Sequence, residues 1–271
     1  MDSLTNNMQR LTEHFQNDRK TIGAYPQNLR VALSSIDTQE ALNEIKSWKG
    51  YKSTQLHSLQ GFAEEIGVQD IFYKDESTRF DLGSFKALGG AYGVLKFIQN
   101  QLTKDLNKNI SIRDIRDGKY LDLTKNYTVV TATDGNHGRS VAYGAKLSGC
   151  KCQIYIHAEV SKGRQHAMEE FGAMVIRIRG NYDESLRICI EEAIKNNWQI
   201  ISDTSYEGYT KYPRYIMAGY TVLAHEITEQ LDYENLPTHI FLQAGVGGFA
   251  AAIMAYFWEK YSEKNIKFII V

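Results

Sequence analysis

The sequence predicts an α/β fold built on mostly parallel sheets, and two observations carry that prediction. From Tyr127 onward, short strands rich in Val and Ile alternate with segments of helical character. Glycine-bearing loops then follow strands near positions 135 and 245. Strands that are apolar along their length are expected to be buried on both faces, as in parallel sheets covered by helices. Right-handed crossovers then place helices on both sides of each sheet. In such sheets ligands gather at the carboxyl ends of the strands.

The elements follow in order. The first 60 residues are mixed, with helices expected around 4–17 and 37–48. Asp70 to Lys74 reads as a short strand, and Phe85 to Gln99 as a helix with glycines at its start. A polar stretch covers 100–125. Strands are then expected at 127–133, 152–157, 173–178, 199–203, 239–244 and 267–271, and helices at 138–148, 161–171, 182–197, 213–231 and 248–261. The last strand, KFIIV, is apolar to its final residue, and no helix follows to cover it. That pattern predicts a chain that is part of a larger domain.

Composition narrows the function. Hydrophobic residues make up 43% and charged residues 23% of the 271 residues, as in an ordinary globular protein. Lys plus Arg number 31 against 32 acids, a formal charge of -1, which favours neither nucleic acid nor an anionic membrane as partner. The longest apolar run, Phe241 to Trp258, is interrupted by Gln243 and by Gly245-Val246-Gly247-Gly248, so it reads as strand, turn and helix rather than a membrane span. Cys150, Cys152 and Cys189, with no basic-apolar leader at the start, predict reduced thiols in the cytoplasm. Cys150 and Cys152 lack further ligands at metal-binding spacing, so no metal is expected.

Three segments carry chemistry. In Lys74 to Tyr92, Lys86 lies near a helix start, where positive amide ends disfavour its protonated form and suit imine formation. Gly89 and Gly90 cost helix stability and point to another group close to the backbone. In Thr131 to Arg139, a strand runs into a glycine loop and a helix start. Asn136 there offers a neutral donor and acceptor. Asp134 is either a helix cap or a proton acceptor facing the site, and His137 reads as a structural group. In Gln243 to Ala250, the turn from Gly245 to Gly248 is a backbone cradle for an anion, or alternatively a tight helix-on-sheet contact. Its spacing is not that of a dinucleotide fingerprint. A reactive lysine, an uncharged polar loop residue and an anion cradle together suit an aldehyde cofactor that bears a phosphate.

This pattern resembles the fold type II pyridoxal-phosphate enzymes, the group of tryptophan synthase β and threonine dehydratase. S-F-K is similar to their Schiff-base lysine motif and G-N-H-G to their asparagine loop. Within that group the chain resembles the diaminopropionate ammonia-lyases. The matching runs are K-D-E-S-x-R-F, T-D-G-N-H-G-R, D-T-x-x-E-G-Y from Asp203 to Tyr209, and F-L-Q-A-G-V-G-x-F-A-A-A. The resemblance implies two three-layer domains. The larger comprises 1–92 and 206–271, incomplete at its C-terminal side, and the smaller 93–205. It further implies pyridoxal 5'-phosphate bound by Lys86, with Asn136 at the ring hydroxyl and Gly245, Val246, Gly247 and Gly248 at the phosphate.

The reaction implied is loss of ammonia from 2,3-diaminopropionate, giving pyruvate and ammonia. Lys86 and Asp134 serve as bases on opposite faces. Asp203 and Asp134 supply negative charge for the substrate's extra ammonium. A small amino acid is the implied partner, together with a second copy of the chain in a homodimer. The competing expectations are a serine/threonine dehydratase of the same fold, and an inactive remnant or partner subunit.

Overall fold

The computed structural model describes residues 15–271. The helix expected over 4–17 therefore lies almost wholly outside the described residues. The expected helix over 37–48 is α1, Ser35–Lys46, which starts where Ser34 and Asp37 cap each other's backbone amides.

A short antiparallel ribbon pairs β1, Leu56–Ser58, with β2, Phe72–Lys74, across α2, Gln60–Ile66. Beyond it α3, Lys86–Leu106, runs seven residues further than the apolar pattern predicts, because Leu102 is fully buried and Asn107 ends the helix in a left-handed turn. Two short helices follow in the polar stretch, α4, Ile112–Arg116, and α5, Leu121–Thr124.

The predicted alternation then appears. Strands β3, Thr128–Ala132, β4, Lys151–Ile156, β5, Met174–Arg177, and β6, Gln199–Ile200, form one parallel sheet in the order β5-β4-β3-β6. Between them run α6, Asn136–Ser148, α7, Lys162–Glu169, and α8, Tyr182–Asn196. Alternate side chains serve opposite faces. Val129, Cys152 and Ile154 join the main core, in the same cluster as Val141 and Met168. Val130, Ala132 and Tyr155 join a second core with Cys189 and Ala193 of α8. The chain continues through α9, Lys211–Gln230, to β7, His239–Leu242, α10, Gly248–Tyr261, and β8, Lys267–Ile270, with β7 and β8 parallel.

Two expectations need correction. Burial on both faces holds for β3, all of whose residues are buried, but not for β5, β7 or β8. Phe241 is 64% exposed, because a two-stranded sheet leaves one face without a covering layer. The strand expected over 199–203 stops at Ile200, and Asp203 lies in the loop beyond it.

Among the described residues no helix is long and apolar enough to cross a membrane, and no group of three His, Cys, Asp or Glu is placed to hold a metal ion.

Helix α3 packs against α6 and α9 at backbone distance. A Cβ on Gly90 would lie 2.7 Å from Ser140 Oγ, and a Cβ on Gly144 would lie 2.7 Å from Ala91 Cα. A Cβ on Gly89 would overlap the Tyr220 ring. The close neighbours that Gly89 and Gly90 imply are therefore side chains of the two flanking helices.

The segment leading into α3 is anchored by a buried charge cluster. Arg79 is 1% exposed; its guanidinium lies 2.7 Å from both Glu76 Oε1 and Glu226 Oε1. Lys74 Nζ, the Tyr51 hydroxyl and the Thr54 amide also donate to Glu226, at 2.8, 2.9 and 3.1 Å. Immediately after Arg79, Phe80 and Asp81 adopt left-handed backbone (φ 51° and 58°), a conformation that costs a non-glycine residue about 1 kcal/mol or more. Gly83 follows with φ 70°.

Candidate active site

Lys86 opens α3, and the Ser84 side chain and carbonyl cap its first amides. Its amine lies on the carboxylate of Asp203. The rings of Phe85 and Tyr220 flank it, with centroids 5.6 and 5.7 Å from Nζ. A carboxylate and two aromatic faces are surroundings that hold a cation.

Asp203 is the meeting point of the site. Burial pushes its carboxyl up, but attraction to His137 and to Lys86 prevails and holds it below the usual carboxylate range. The loop that carries it is closed by Tyr209, whose hydroxyl accepts from the Ser202 amide and donates to the Ile200 carbonyl, both at 2.9 Å. Tyr209 stacks on Tyr206 at 5.0 Å, across a turn in which Gly208 is left-handed. This gives D-T-x-x-E-G-Y a physical meaning: the tyrosine ties the aspartate loop to the end of β6.

Tyr209→Phe keeps the ring and removes both bonds. The expected results are a fall of a few degrees in the thermal midpoint, at about 1 kcal/mol per bond, and faster hydrogen exchange confined to 201–205. Unchanged exchange in that loop would show that the ring alone holds it.

The glycine turn adjoins the main chain of Asp203. A Cβ on Gly248 would lie 3.4 Å from the Asp203 carbonyl oxygen, and Phe249 packs on Phe85 with centroids 4.2 Å apart. Helix α10 starts after Gly247 (φ 84°) with no side chain capping its first amides. Gly245 and Val246 are exposed.

Across the site, α6 starts after Gly135. Thr133 Oγ1 accepts from the amides of Gly135 and Gly138, which shapes the loop around Asn136, an exposed residue. Arg139, one turn on, donates to the Leu82 and Asp81 carbonyls at 2.9 and 3.3 Å and so ties the asparagine loop to the lysine loop. Asp134 does not meet Lys86 or Asp203. Its carboxylate is 59% exposed and lies 3.1 Å from His157 Nε2.

The sequence reading missed the tie made by Tyr209 and the bridge made by Arg139. Both end on main-chain atoms, which no side-chain motif encodes. An apolar groove of about 1080 Å³ reaches the back of the site at Phe85, Gln243 and Phe249, but Lys86, Asn136 and Asp203 are not part of its wall.

Residues 48–271 match the family model described as pyridoxal-phosphate dependent enzyme. The chain belongs to that family. It is 41% identical over 234 residues to the diaminopropionate ammonia-lyase of Salmonella typhimurium, a match covering 86% of this chain and 57% of that protein. The Escherichia coli K12 diaminopropionate ammonia-lyase is 38% identical over 223 residues, covering 82% and 55%. The crystal structure of the Escherichia coli enzyme in apo form superposes with a TM-score of 0.81 at 35% identity, covering 94% of this chain and 68% of that one. The chain thus spans a little over half the length of the curated relatives it matches.

The residues present fit the family's cofactor. An amine sits at a helix start beside an uncapped helix N-terminus, and a Cβ on Gly245 would meet nothing within 4 Å, so the turn is open to an anion.

Proposed function

We propose that this protein is a pyridoxal 5'-phosphate-dependent lyase that removes ammonia from 2,3-diaminopropionate to give pyruvate and ammonia. The observation that carries the reading is the Lys86 amine on Asp203, next to the glycine turn, in a chain 41% identical to a diaminopropionate ammonia-lyase.

In this reading Lys86 holds the cofactor's aldehyde carbon, Asn136 its ring hydroxyl, and the main chain of Gly245, Val246, Gly247 and Gly248 its phosphate. When bound, the cofactor supplies an electron sink for the substrate's α-carbon. Lys86 takes the α-proton from one face and Asp134, released from His157, from the other. Asp203 and Asp134 offer negative charge to the second ammonium of the substrate. The Phe85, Tyr220 and Phe249 rings keep water from the lysine side. The β-nitrogen leaves as ammonia, and water converts the released enamine to pyruvate and a second ammonia. The same reading places the protein in the cytoplasm as a homodimer, and its three free thiols support a reducing compartment.

The test is release of 2-oxo acid from diaminopropionate, serine and threonine, each as both enantiomers. Diaminopropionate is expected to be turned over fastest. Faster release from serine or threonine would make the protein a dehydratase instead. Asp134→Asn is expected to lower turnover of one diaminopropionate enantiomer by about tenfold or more relative to the other. Equal losses on both would remove Asp134 as the second base.

A further inference from the structure

A lysine that carries a proton cannot attack a carbonyl, yet the surroundings of Lys86 are those of a cation. His137 bears on this conflict. It is 7% exposed, and its Nε2 lies 2.9 Å from the carbonyl oxygen of Ile201. A carbonyl only accepts, so Nε2 carries a hydrogen and Nδ1 is the nitrogen free to change state. Nδ1 points at Asp203 Oδ2 from 3.8 Å and has no hydrogen-bond partner among the described residues. The amine of Lys86 lies on that same oxygen.

One carboxylate oxygen thus faces two basic nitrogens. With Nδ1 bare, a lone pair is turned toward a buried carboxylate. With Nδ1 protonated, the contact becomes attractive, but two cations then compete for a single anion. The arrangement is satisfied by one mobile proton between the two nitrogens.

We propose that His137 is a positioning residue that replaces Lys86 as the counter-ion of Asp203 when the lysine becomes neutral. The N–H bond broken is on Lys86 Nζ and the bond formed is on His137 Nδ1, with Asp203 Oδ2 passing the proton. Asp203 is a carboxylate before and after. The three groups sum to zero charge in both states, so imine formation needs no proton exchange with solvent.

The tyrosines around the pair remain neutral, and the one further carboxylate is paired elsewhere. Burial and the Asp203 charge push the Tyr220 hydroxyl of α9 well up. Burial, Asp203 and Asp134 push up Tyr182 at the start of α8, and burial raises Tyr209. Asp134 faces His157. The inference rests on reading Lys86 as the cofactor lysine, but its test contains no cofactor.

The purified chain is reductively methylated with formaldehyde and cyanoborohydride across a pH series, and labelling of Lys86 is read by peptide mass spectrometry. Lys195, 71% exposed on α8, serves as internal control. His137→Gln keeps an amide N–H able to reach the Ile201 carbonyl but has no nitrogen that can store a proton. Its Lys86 labelling midpoint is expected to move up by about one pH unit, a roughly tenfold slower reaction at neutral pH, with Lys195 unchanged. A profile that matches wild type, or moves down, overturns the proposal.

A second measurement does not depend on that variant folding. Ring ¹⁵N spectra of His137 are compared in wild type and Lys86→Met. Removal of the lysine charge is expected to protonate Nδ1 at a pH where wild type shows Nε2–H alone, and identical spectra overturn the proposal. If the cofactor fails to bind while these shifts appear, the enzyme reading falls and the shared proton stands.

Discussion

Lys86→Ala is expected to abolish the visible absorption that pyridoxal 5'-phosphate would acquire on binding the wild-type chain, and to lower any lyase turnover by roughly 10³–10⁴-fold. The amine lies on Asp203, and the neighbouring rings of Phe85 and Tyr220 cannot replace it. The variant also leaves Asp203 with His137 as its one remaining basic neighbour, 3.8 Å away. A modest loss of stability, on the order of 1–3 kcal/mol, is therefore expected beside the loss of chemistry. Thermal unfolding separates the two effects. A variant that stays folded and keeps full turnover refutes the assignment of Lys86.

The second large effect is on stability. Arg79→Met leaves Glu76 and Glu226 in a dry site without their guanidinium. Breaking a buried pair from one side costs about 3–5 kcal/mol, or roughly 10 °C in midpoint for a chain of this size. Replacing Arg79 and both glutamates together by apolar residues is expected to recover only part of that loss, because the Lys74 ammonium, 2.8 Å from Glu226 in the wild type, then lacks its carboxylate.

The same cluster predicts acid sensitivity. Burial pushes the Glu226 carboxyl up, but the Arg79 and Lys74 bonds and charges more than offset it, taking it from 4.5 to about 2. A depressed carboxyl stabilises the fold fully above its unfolded value and loses that contribution as pH falls from about 4.5 toward 2. Wild type should lose midpoint steeply over that window. The variant with all three residues made apolar should show a flatter profile. Parallel profiles would show that other carboxylates dominate acid unfolding.

The alternation after Tyr127 was legible in the sequence because strands and helices have different apolar periods, and each burial face left its mark. Lys86, Asn136 and the glycine turn stood out in the sequence because the glycines around them interrupt regular patterns, whereas His137 read only as a structural group. The end of the strand before Asp203 could not be placed. Ile201 is as apolar as a strand residue, and what ends the ladder is the Tyr209 hydroxyl binding the main chain at 200 and 202. The exposure of Phe241 was equally hidden, since an apolar strand carries no record of whether a layer covers it. The carboxylate partner of Lys86 was out of reach for a third reason. The two residues are 117 positions apart, and the contact exists only once α3 meets the loop after β6.

The glycine contacts along α3 bear on how the site can move. Tyr220 and Ile216 press on one flank of the helix at Gly89, and Ser140 presses on the other at Gly90. The helix behaves as a stator: it has no room to rotate or slide, and Lys86 travels only as far as its own four methylenes allow. Adaptation to bulkier amino acids would then have to come from the rotor side, in the loops at 134–136 and 204–208. A library that varies those loops should yield altered substrate profiles, whereas one that varies 87–93 should yield unfolded protein.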